Sequence, residues 1–157
     1  MIKFVYFDVG GVLIKDFSKT NKWEELRVQK NISEENFFEL RRKLSEGQID
    51  IIKTSLTLND FVSKYEFNKF IWPVVRKIKE KLKVGLLTNQ YNGLLTAIID
   101  ADLMPHVDWD VIVDSSVEGV SKPNEAIFKL AESKCGYSGN EILFVDNREK
   151  YVLAALI

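Results

Sequence analysis

This sequence of 157 residues has little of the chemistry that many metal sites and membrane anchors need. It contains one cysteine, Cys135, so no disulfide can form within the chain, which suits a reducing compartment. Its single histidine, His106, excludes a metal site built from several histidines. No stretch approaches the roughly 18 uncharged apolar residues of a membrane span. The N-terminal apolar stretch is interrupted by Asp8 and lacks a small-residue cleavage site, so we predict a cytoplasmic protein.

The chain also lacks a surplus of charge of one sign. Its 22 Lys and Arg residues nearly balance its 23 Asp and Glu residues, which gives a formal net charge of −1. We therefore expect neither nucleic acid nor an anionic membrane as a partner. A hydrophobic content of 46% and a charged content of 29% are typical of a globular domain with a substantial core.

Four short apolar runs are present, and polar or acidic residues end each of them. The runs are FVYFD (4–8), KVGLLTN (83–89), WDVIVDSS (109–116) and EILFVDN (141–147). Runs of this length and composition are typical of strands that are buried on both faces of a parallel sheet. Segments with helical spacing separate the later runs. We therefore predict an α/β fold with a doubly wound parallel sheet.

The segment 17–70 differs from the rest, because it has helical spacing and no strand-like run. Ser33 followed by two glutamates predicts the start of one of its helices. We predict that 17–70 forms a small helical cap inserted after the first strand. The core domain then consists of 1–16 and 71–157.

Residues that could take part in catalysis or ligand binding follow the four predicted strands. They are Asp8, Gly10, Gly11, Thr88, Asn89, Asp114, Lys122, Asp146 and Asn147. Ligands of open α/β sheets bind at the carboxyl ends of the strands, so we expect these residues to converge. Paired carboxylates can hold Mg²⁺, and a carboxylate can attack phosphorus. Lysine and threonine can stabilise the phosphoryl oxygens, and the two glycines allow a sharp turn beside the ligand.

The motifs FDVGGVL, LLTN, SSVEGVSKPNEAIF and ILFVDN, in that order, resemble those of the haloacid dehalogenase-like (HAD) hydrolase superfamily. The segment ISEENFFELRRKLSEGQID resembles the cap of a subgroup that includes sugar-phosphate phosphatases. The resemblance covers nearly the whole chain, and four motifs at strand ends are far more specific than one. It implies a magnesium-dependent phosphatase that acts on a small phosphorylated metabolite.

The resemblance also implies roles for individual residues. Asp8 matches the nucleophile, Thr88 the hydroxyl of the second motif and Lys122 the lysine of the third. Asp146 matches the metal ligand of the fourth motif, and the Gly10 carbonyl matches a main-chain ligand of Mg²⁺. The metal set is therefore expected to be Asp8, Gly10 and Asp146.

Three neighbouring residues are expected to assist this set. Asn89 and Gly11 are expected to bind the substrate. Asn147 is expected to contact the metal ligands rather than the ion, and so to hold those ligands in place. In the cap, the run Arg41-Arg42-Lys43 is interpreted as a solvated helix face, from which one side chain could reach the site and select the substrate.

Three positions depart from the family pattern. Gly10 stands where phosphatases of the family commonly have an aspartate that acts as general acid and base. Asn147 replaces a second motif-four aspartate, and Tyr151 replaces an asparagine. Loss of a general acid typically costs about 10²–10⁴ in rate, and substrates with good leaving groups lose least.

These departures leave two alternatives open. The first is a catalytically weakened HAD domain with a binding or regulatory role, which the three substitutions favour. The second is a metal-free haloacid dehalogenase, which Asp146 disfavours because dehalogenases of the family usually carry a neutral residue there.

The end of the sequence leads to a further expectation. Members of the family usually continue through another strand and helix after the fourth motif, whereas here only YVLAALI remains. The strand EILFVDN is therefore predicted at the sheet edge, without a charge or proline that would protect it. We expect self-association through this edge or a shortened, marginally stable chain. The alternative is a final helix that folds back over the edge.

Overall fold

The computed structural model describes residues 1–15, 17 and 20–156; Asp16, Ser18, Lys19 and Ile157 lie outside the described residues. The strands within them are β1 (Phe4–Phe7), β2 (Ile14–Lys15), β3 (Glu66–Phe67), β4 (Lys83–Thr88), β5 (Val111–Asp114) and β6 (Ile142–Val145). The helices are α1 (Lys22–Gln29), α2 (Glu34–Ser45), α3 (Leu58–Val62), α4 (Trp72–Lys79), α5 (Leu94–Asp100), α6 (Ser115–Glu118), α7 (Glu125–Cys135) and α8 (Glu149–Ala154). In this part of the chain, no helix is long and apolar enough to cross a membrane.

The core is a parallel four-stranded sheet in the order β5-β4-β1-β6. β1 lies inside the sheet and pairs with β4 on one side and β6 on the other. Its four residues are buried, as the continuous apolar run predicts. All four predicted strands are present, each shorter than its apolar run.

Helices cover both faces of this sheet. Val5 and Phe7 point into a cluster that includes apolar side chains of α4 and α5. Phe4 and Tyr6 point the other way, towards α7, where the Tyr6 hydroxyl donates a hydrogen bond to the Ala131 carbonyl. This alternation follows from the two-residue period of a strand. The predicted doubly wound α/β fold is therefore confirmed.

The segment after β1 contains α1, α2 and α3, and α2 begins where it is predicted to begin. The Ser33 side chain caps α2 by accepting a hydrogen bond from the Asn36 N–H. The expectation that this segment has no strand is wrong, because β3 pairs antiparallel with β2. Each of these strands has two residues, which is too short to show an alternating pattern in the sequence. The division into a 17–70 cap and a core stays a prediction.

The C-terminal end of α2 packs closely against α6 of the sheet domain. The Ser115 hydroxyl donates a hydrogen bond to the Ser45 carbonyl. Gly47 has φ +64°, and a Cβ at this position would lie 2.4 Å from the Ser116 carbonyl oxygen. This contact fixes α2 above the carboxyl ends of the strands.

β6 forms one edge of the described sheet, as the sequence predicts, because it pairs only with β1 there. Leu143 of β6 is 47% exposed, and Leu153 and Leu156 at the end of the chain are 60% and 77% exposed. Self-association through this edge stays a prediction.

Candidate active site

A tight turn after β1 explains why a buried strand ends on an acid and two glycines. The Asp8 N–H donates to the Val145 carbonyl at 2.9 Å, which extends the β1–β6 pairing by one residue. The chain then doubles back, so that the Ile14 N–H reaches the Val9 carbonyl at 3.1 Å and the Gly11 N–H reaches the Ile14 carbonyl at 2.7 Å. Asp8 is thereby held at the carboxyl end of the central strand.

Gly11 occupies a position in this turn that disfavours any side chain. Its φ is +89°, in the left-handed region that favours glycine. A Cβ there would lie 2.0 Å from the Asn147 side-chain nitrogen. Asn147 therefore packs directly on the Gly11 backbone, which brings the loop after β6 against the loop after β1. The expected roles of Gly11 in substrate binding and of Asn147 behind the metal stay predictions.

We expect Gly11→Ala to destabilise the protein by about 3 kcal/mol, because a disfavoured φ and a steric clash add together. Gly119→Ala is the matched control, since Gly119 also has a positive φ of +71° but has no heavy atom within 4 Å of its added Cβ. That control is expected to lose only about 1–2 kcal/mol. Urea unfolding of both variants measures the difference, and equal losses would mean that Asn147 yields without cost.

Lys122 joins the ends of β1 and β6. Its Nζ lies 3.0 Å from Asp8 Oδ1 and 2.6 Å from Asp146 Oδ2, and it donates a 2.9 Å hydrogen bond to the Leu87 carbonyl. The Lys122 and Asp146 side chains are 1% and 0% exposed. Three of the residues that the sequence places at separate strand ends and loops thus meet within hydrogen-bond distance.

Two aromatic rings flank the same ammonium group. The ring centroids of Phe144 and Tyr151 each lie 5.1 Å from Lys122 Nζ. Cations are attracted to the faces of such rings, and the contact strengthens when water is excluded. Tyr151, which departs from the family pattern, therefore helps to hold the lysine in place.

The charges of this group do not balance. Two buried carboxylates, Asp8 and Asp146, share one lysine, which leaves one negative charge in excess when both are ionised. Burial raises the pKa of Asp8; the positive charge of Lys122 lowers it, and the negative charge of Asp146 raises it further. A hydrogen bond from Thr88 also lowers this pKa, but the net direction is upward. An additional cation would compensate the excess charge.

Thr88 and Asn89 have different surroundings although they are adjacent. Thr88 is fully buried, lowers the pKa of Asp8 and accepts a 3.1 Å hydrogen bond from the Gln90 side chain. Asn89 holds the main chain of Lys122, because its side-chain oxygen accepts from the Lys122 N–H at 2.9 Å and its nitrogen donates to the Lys122 carbonyl at 3.0 Å. Asn89 thus positions the lysine, and its predicted contact with substrate stays a prediction.

The expected metal ligands, Asp8, Asp146 and the Gly10 carbonyl, all offer oxygen atoms. The bridge between Gly10 and Ile14 uses the Val9 carbonyl and the Gly11 N–H, so it does not engage the Gly10 carbonyl. Asp146 Oδ1 accepts a 2.8 Å hydrogen bond from the Arg148 N–H, which fixes the carboxylate plane. Carboxylate and carbonyl oxygens are the ligands that Mg²⁺ prefers, so this set fits the ion chemically.

A cleft of about 450 Å³ opens from Asp8 and Lys122 towards the inserted helices. Its far wall includes Trp23 and Arg41 of the insertion, together with Tyr91 after β4. Arg41 is not simply part of a solvated face, since its guanidinium stacks on Trp23 and lines the cleft, which agrees with the alternative that one side chain of this run reaches the site. Tyr91 was not predicted from the sequence, although it stands only three residues after Thr88 of the second motif.

Another cleft, of about 490 Å³, lies at the opposite end of the strands. It is lined by Arg76, Lys79, His106, Val107 and Asp108. These residues precede β4 or β5, at the amino ends of the strands, whereas ligands of open α/β sheets bind at the carboxyl ends. The group of Asp8, Asp146 and Lys122 at the carboxyl ends of the strands is therefore the better candidate for an active site.

Comparisons with solved structures identify proteins of the same fold. A HAD family enzyme from Bacteroides thetaiotaomicron, crystallised with magnesium and inorganic phosphate, is 19% identical with a TM-score of 0.80, over 99% of this chain and 90% of that one. A predicted HAD-like hydrolase from Porphyromonas gingivalis is 20% identical with a TM-score of 0.74, over 99% and 87% of the two chains. The L-2-haloacid dehalogenase from Xanthobacter autotrophicus, with chloropropionic acid covalently bound, is 16% identical with a TM-score of 0.64, over 99% and 74%. At these identities the likeness shows the fold.

Comparison with family models gives the family itself. No curated protein sequence matches this chain. The model of the haloacid dehalogenase-like hydrolases matches residues 2–156, which is nearly all of the sequence. The motifs at the four strand ends and the sheet that brings them together agree with this match. The chain belongs to the haloacid dehalogenase-like hydrolase family.

Proposed function

We propose that this protein is a magnesium-dependent phosphohydrolase that transfers the phosphoryl group of a small metabolite to Asp8. The observation that carries this proposal is the contact of Asp8 and Asp146 with one buried ammonium group, that of Lys122. A nucleophile, a second carboxylate and a fixed positive charge are the parts that phosphoryl transfer through an aspartate requires.

Mg²⁺ would be held by Asp8, the Gly10 carbonyl and Asp146. Two carboxylates share one lysine, which leaves an excess negative charge, and all three expected ligands offer oxygen atoms. Both features support this assignment. The magnesium and phosphate complex of the Bacteroides enzyme, which has the same fold, also supports it. When bound, the ion supplies positive charge that offsets the negative oxygens of the substrate.

Asp8 carries the chemical step. A carboxylate oxygen of Asp8 forms a bond to phosphorus, and the bond from phosphorus to the ester oxygen breaks, so that the leaving group departs as an anion and then takes a proton from water. Water then attacks phosphorus, which releases inorganic phosphate and restores the Asp8 carboxylate. Lys122 and Thr88, both in contact with Asp8, are placed to stabilise charge on the transferring group and to orient the nucleophile.

Gly10 supplies no proton to the leaving alcohol. The expected partner for that proton is water, so the rate depends on how readily the alcohol leaves as an anion. We expect aryl phosphates, whose leaving groups are weakly basic, to be hydrolysed about 10²–10⁴-fold faster than alkyl phosphates.

The assay that tests the function compares p-nitrophenyl phosphate with a simple alkyl phosphate, with Mg²⁺ and with a chelator. Hydrolysis of the aryl ester that needs Mg²⁺ supports the phosphohydrolase. Binding of substrate without any turnover would instead support the weakened domain with a binding role. Release of halide from a 2-haloacid without Mg²⁺ would support the dehalogenase, a reaction that the Xanthobacter enzyme of the same fold performs by its name.

A further inference from the structure

Arg41 lines the same cleft as Asp8 and is held there by two contacts. Its Cζ lies 3.7 Å from the ring centroid of Trp23, and its Nε donates a 3.2 Å hydrogen bond to the Tyr91 hydroxyl. Trp23 and Arg41 belong to the inserted helices and Tyr91 follows β4, so the contact joins two distant segments of the chain on one wall of the cleft. Stacking and this hydrogen bond use the face and one edge of the guanidinium.

The neighbours of Arg41 on α2 form ion pairs, whereas Arg41 forms none within the part of the chain that the structure describes. Arg42 pairs with Glu39 and Glu46, both at 2.8 Å, and Lys43 lies 3.5 Å from Glu39. Arg41 makes no ion pair with any residue that the structure describes. A half-buried guanidinium without a carboxylate partner is costly, unless a ligand supplies the opposite charge.

Arg148 also lines this cleft. It lines the cleft after β6, and its Cζ lies 5.6 Å from the ring of Tyr151. Burial raises the pKa of the Tyr91 hydroxyl, while the positive charges of Arg41 and Arg148 both lower it. Arg41, Arg148 and Tyr91 all line the same cleft.

This cluster is separate from the group that contacts Asp8. The transferring phosphoryl group already has Lys122 and Thr88 beside the nucleophile. Arg41 is attached to the inserted helices and is positioned by Trp23 and Tyr91. A guanidinium binds carboxylate or phosphate through two parallel hydrogen bonds, so a stacked arginine is well suited to a second anion.

We propose that Arg41, with Arg148 and Tyr91, binds a second anionic group of the substrate. The substrate class is then a phosphate monoester that carries a carboxylate or a second phosphate at its other end. This inference rests on the proposed function, because it takes the phosphoryl group to lie at Asp8. The aromatic rings of Trp23 and Tyr91 form the wall along which the substrate's carbon skeleton lies.

The test compares 3-phosphoglycerate with glycerol 3-phosphate, which share a three-carbon skeleton and differ in a carboxylate against a hydroxymethyl group. Wild-type protein is expected to have a kcat/KM about 10- to 100-fold higher for the carboxylate. Arg41→Gln keeps a polar side chain of similar reach without the charge, and is expected to remove this preference while glycerol 3-phosphate changes little. A comparison of kcat/KM for fructose 1,6-bisphosphate and fructose 6-phosphate tests whether a second phosphate gives the same preference.

The control is Lys43→Gln, which removes one positive charge from the same helix at an exposed residue outside the cleft. It is expected to leave the preference unchanged. Calorimetric binding of the same ligands to Asp8→Asn protein, with and without Arg41→Gln, measures the subsite even if no turnover occurs. Turnover without a preference for either anionic substrate would overturn the inference and leave the phosphohydrolase intact. Loss of binding for charged and neutral ligands alike in Arg41→Gln would also overturn it.

Discussion

Asp8→Asn is expected to lower the rate of Mg²⁺-dependent phosphate ester hydrolysis by about 10³-fold or more. An amide oxygen is a far weaker nucleophile than a carboxylate and does not form the acyl phosphate. The substitution keeps the shape of the side chain, and Lys122 retains its 2.6 Å contact with Asp146, so we expect the fold to persist. Initial rates with p-nitrophenyl phosphate measure the loss.

The matched control is Asp114→Asn. Asp114 is also buried and also ends a strand of the sheet, but its carboxylate accepts hydrogen bonds from the N–H and the hydroxyl of Ser116 at the start of α6. Asparagine caps a helix about as well as aspartate, so this variant should keep wild-type activity. If Asp8→Asn keeps the same activity as this control, Asp8 is not the nucleophile.

Lys122→Met is expected to have the largest effect on stability, a loss of about 3–5 kcal/mol in the free energy of unfolding. Methionine fills much of the same space but leaves Asp8 and Asp146 buried beside each other without a cation. The loss also removes the hydrogen bond to Leu87 and the ring contacts of the ammonium. Urea unfolding without added metal measures this change.

Mg²⁺ should partly repair the Lys122→Met variant. In the proposed site the ion would bind the two carboxylates only in the folded state, and at a hundredfold excess over Kd such binding adds about 2.7 kcal/mol. We expect the melting temperature of the variant to rise more with Mg²⁺ than that of the wild type, whose lysine already balances part of the charge. This readout does not depend on catalysis.

Lys79→Met is the control for losing a lysine from an ion pair. Lys79 lies 2.6 Å from Asp110, but both side chains are partly exposed, at 29% and 25%. Exposed pairs contribute little, so we expect a loss below about 1 kcal/mol. A Lys122→Met loss as small as this one would mean that the two carboxylates are not close enough to repel each other.

The sequence by itself determined the sheet and the residues at its rim. Buried parallel strands need continuous apolar runs, and β1, with Phe4–Phe7 all buried, is such a run. Three of these residues directly follow or end parallel strands: Asp8, Thr88 and Asp146. The shared direction of the strands therefore places them at the same end of the sheet. The start of α2 at Ser33 was equally predictable, since capping is a local interaction between neighbouring residues.

The tertiary structure decided how these residues contact one another and what faces them. Nothing in the order of residues shows that Asn147 packs on Gly11, or that Asn89 holds the backbone of Lys122. The β2–β3 pairing was hidden because two residues carry no period. Arg41 appeared solvated because a helix face shows its partners only after folding places Trp23 and Tyr91 beside it. Contacts between distant segments depend on how helices pack, and a local pattern of charge and hydropathy does not contain that information.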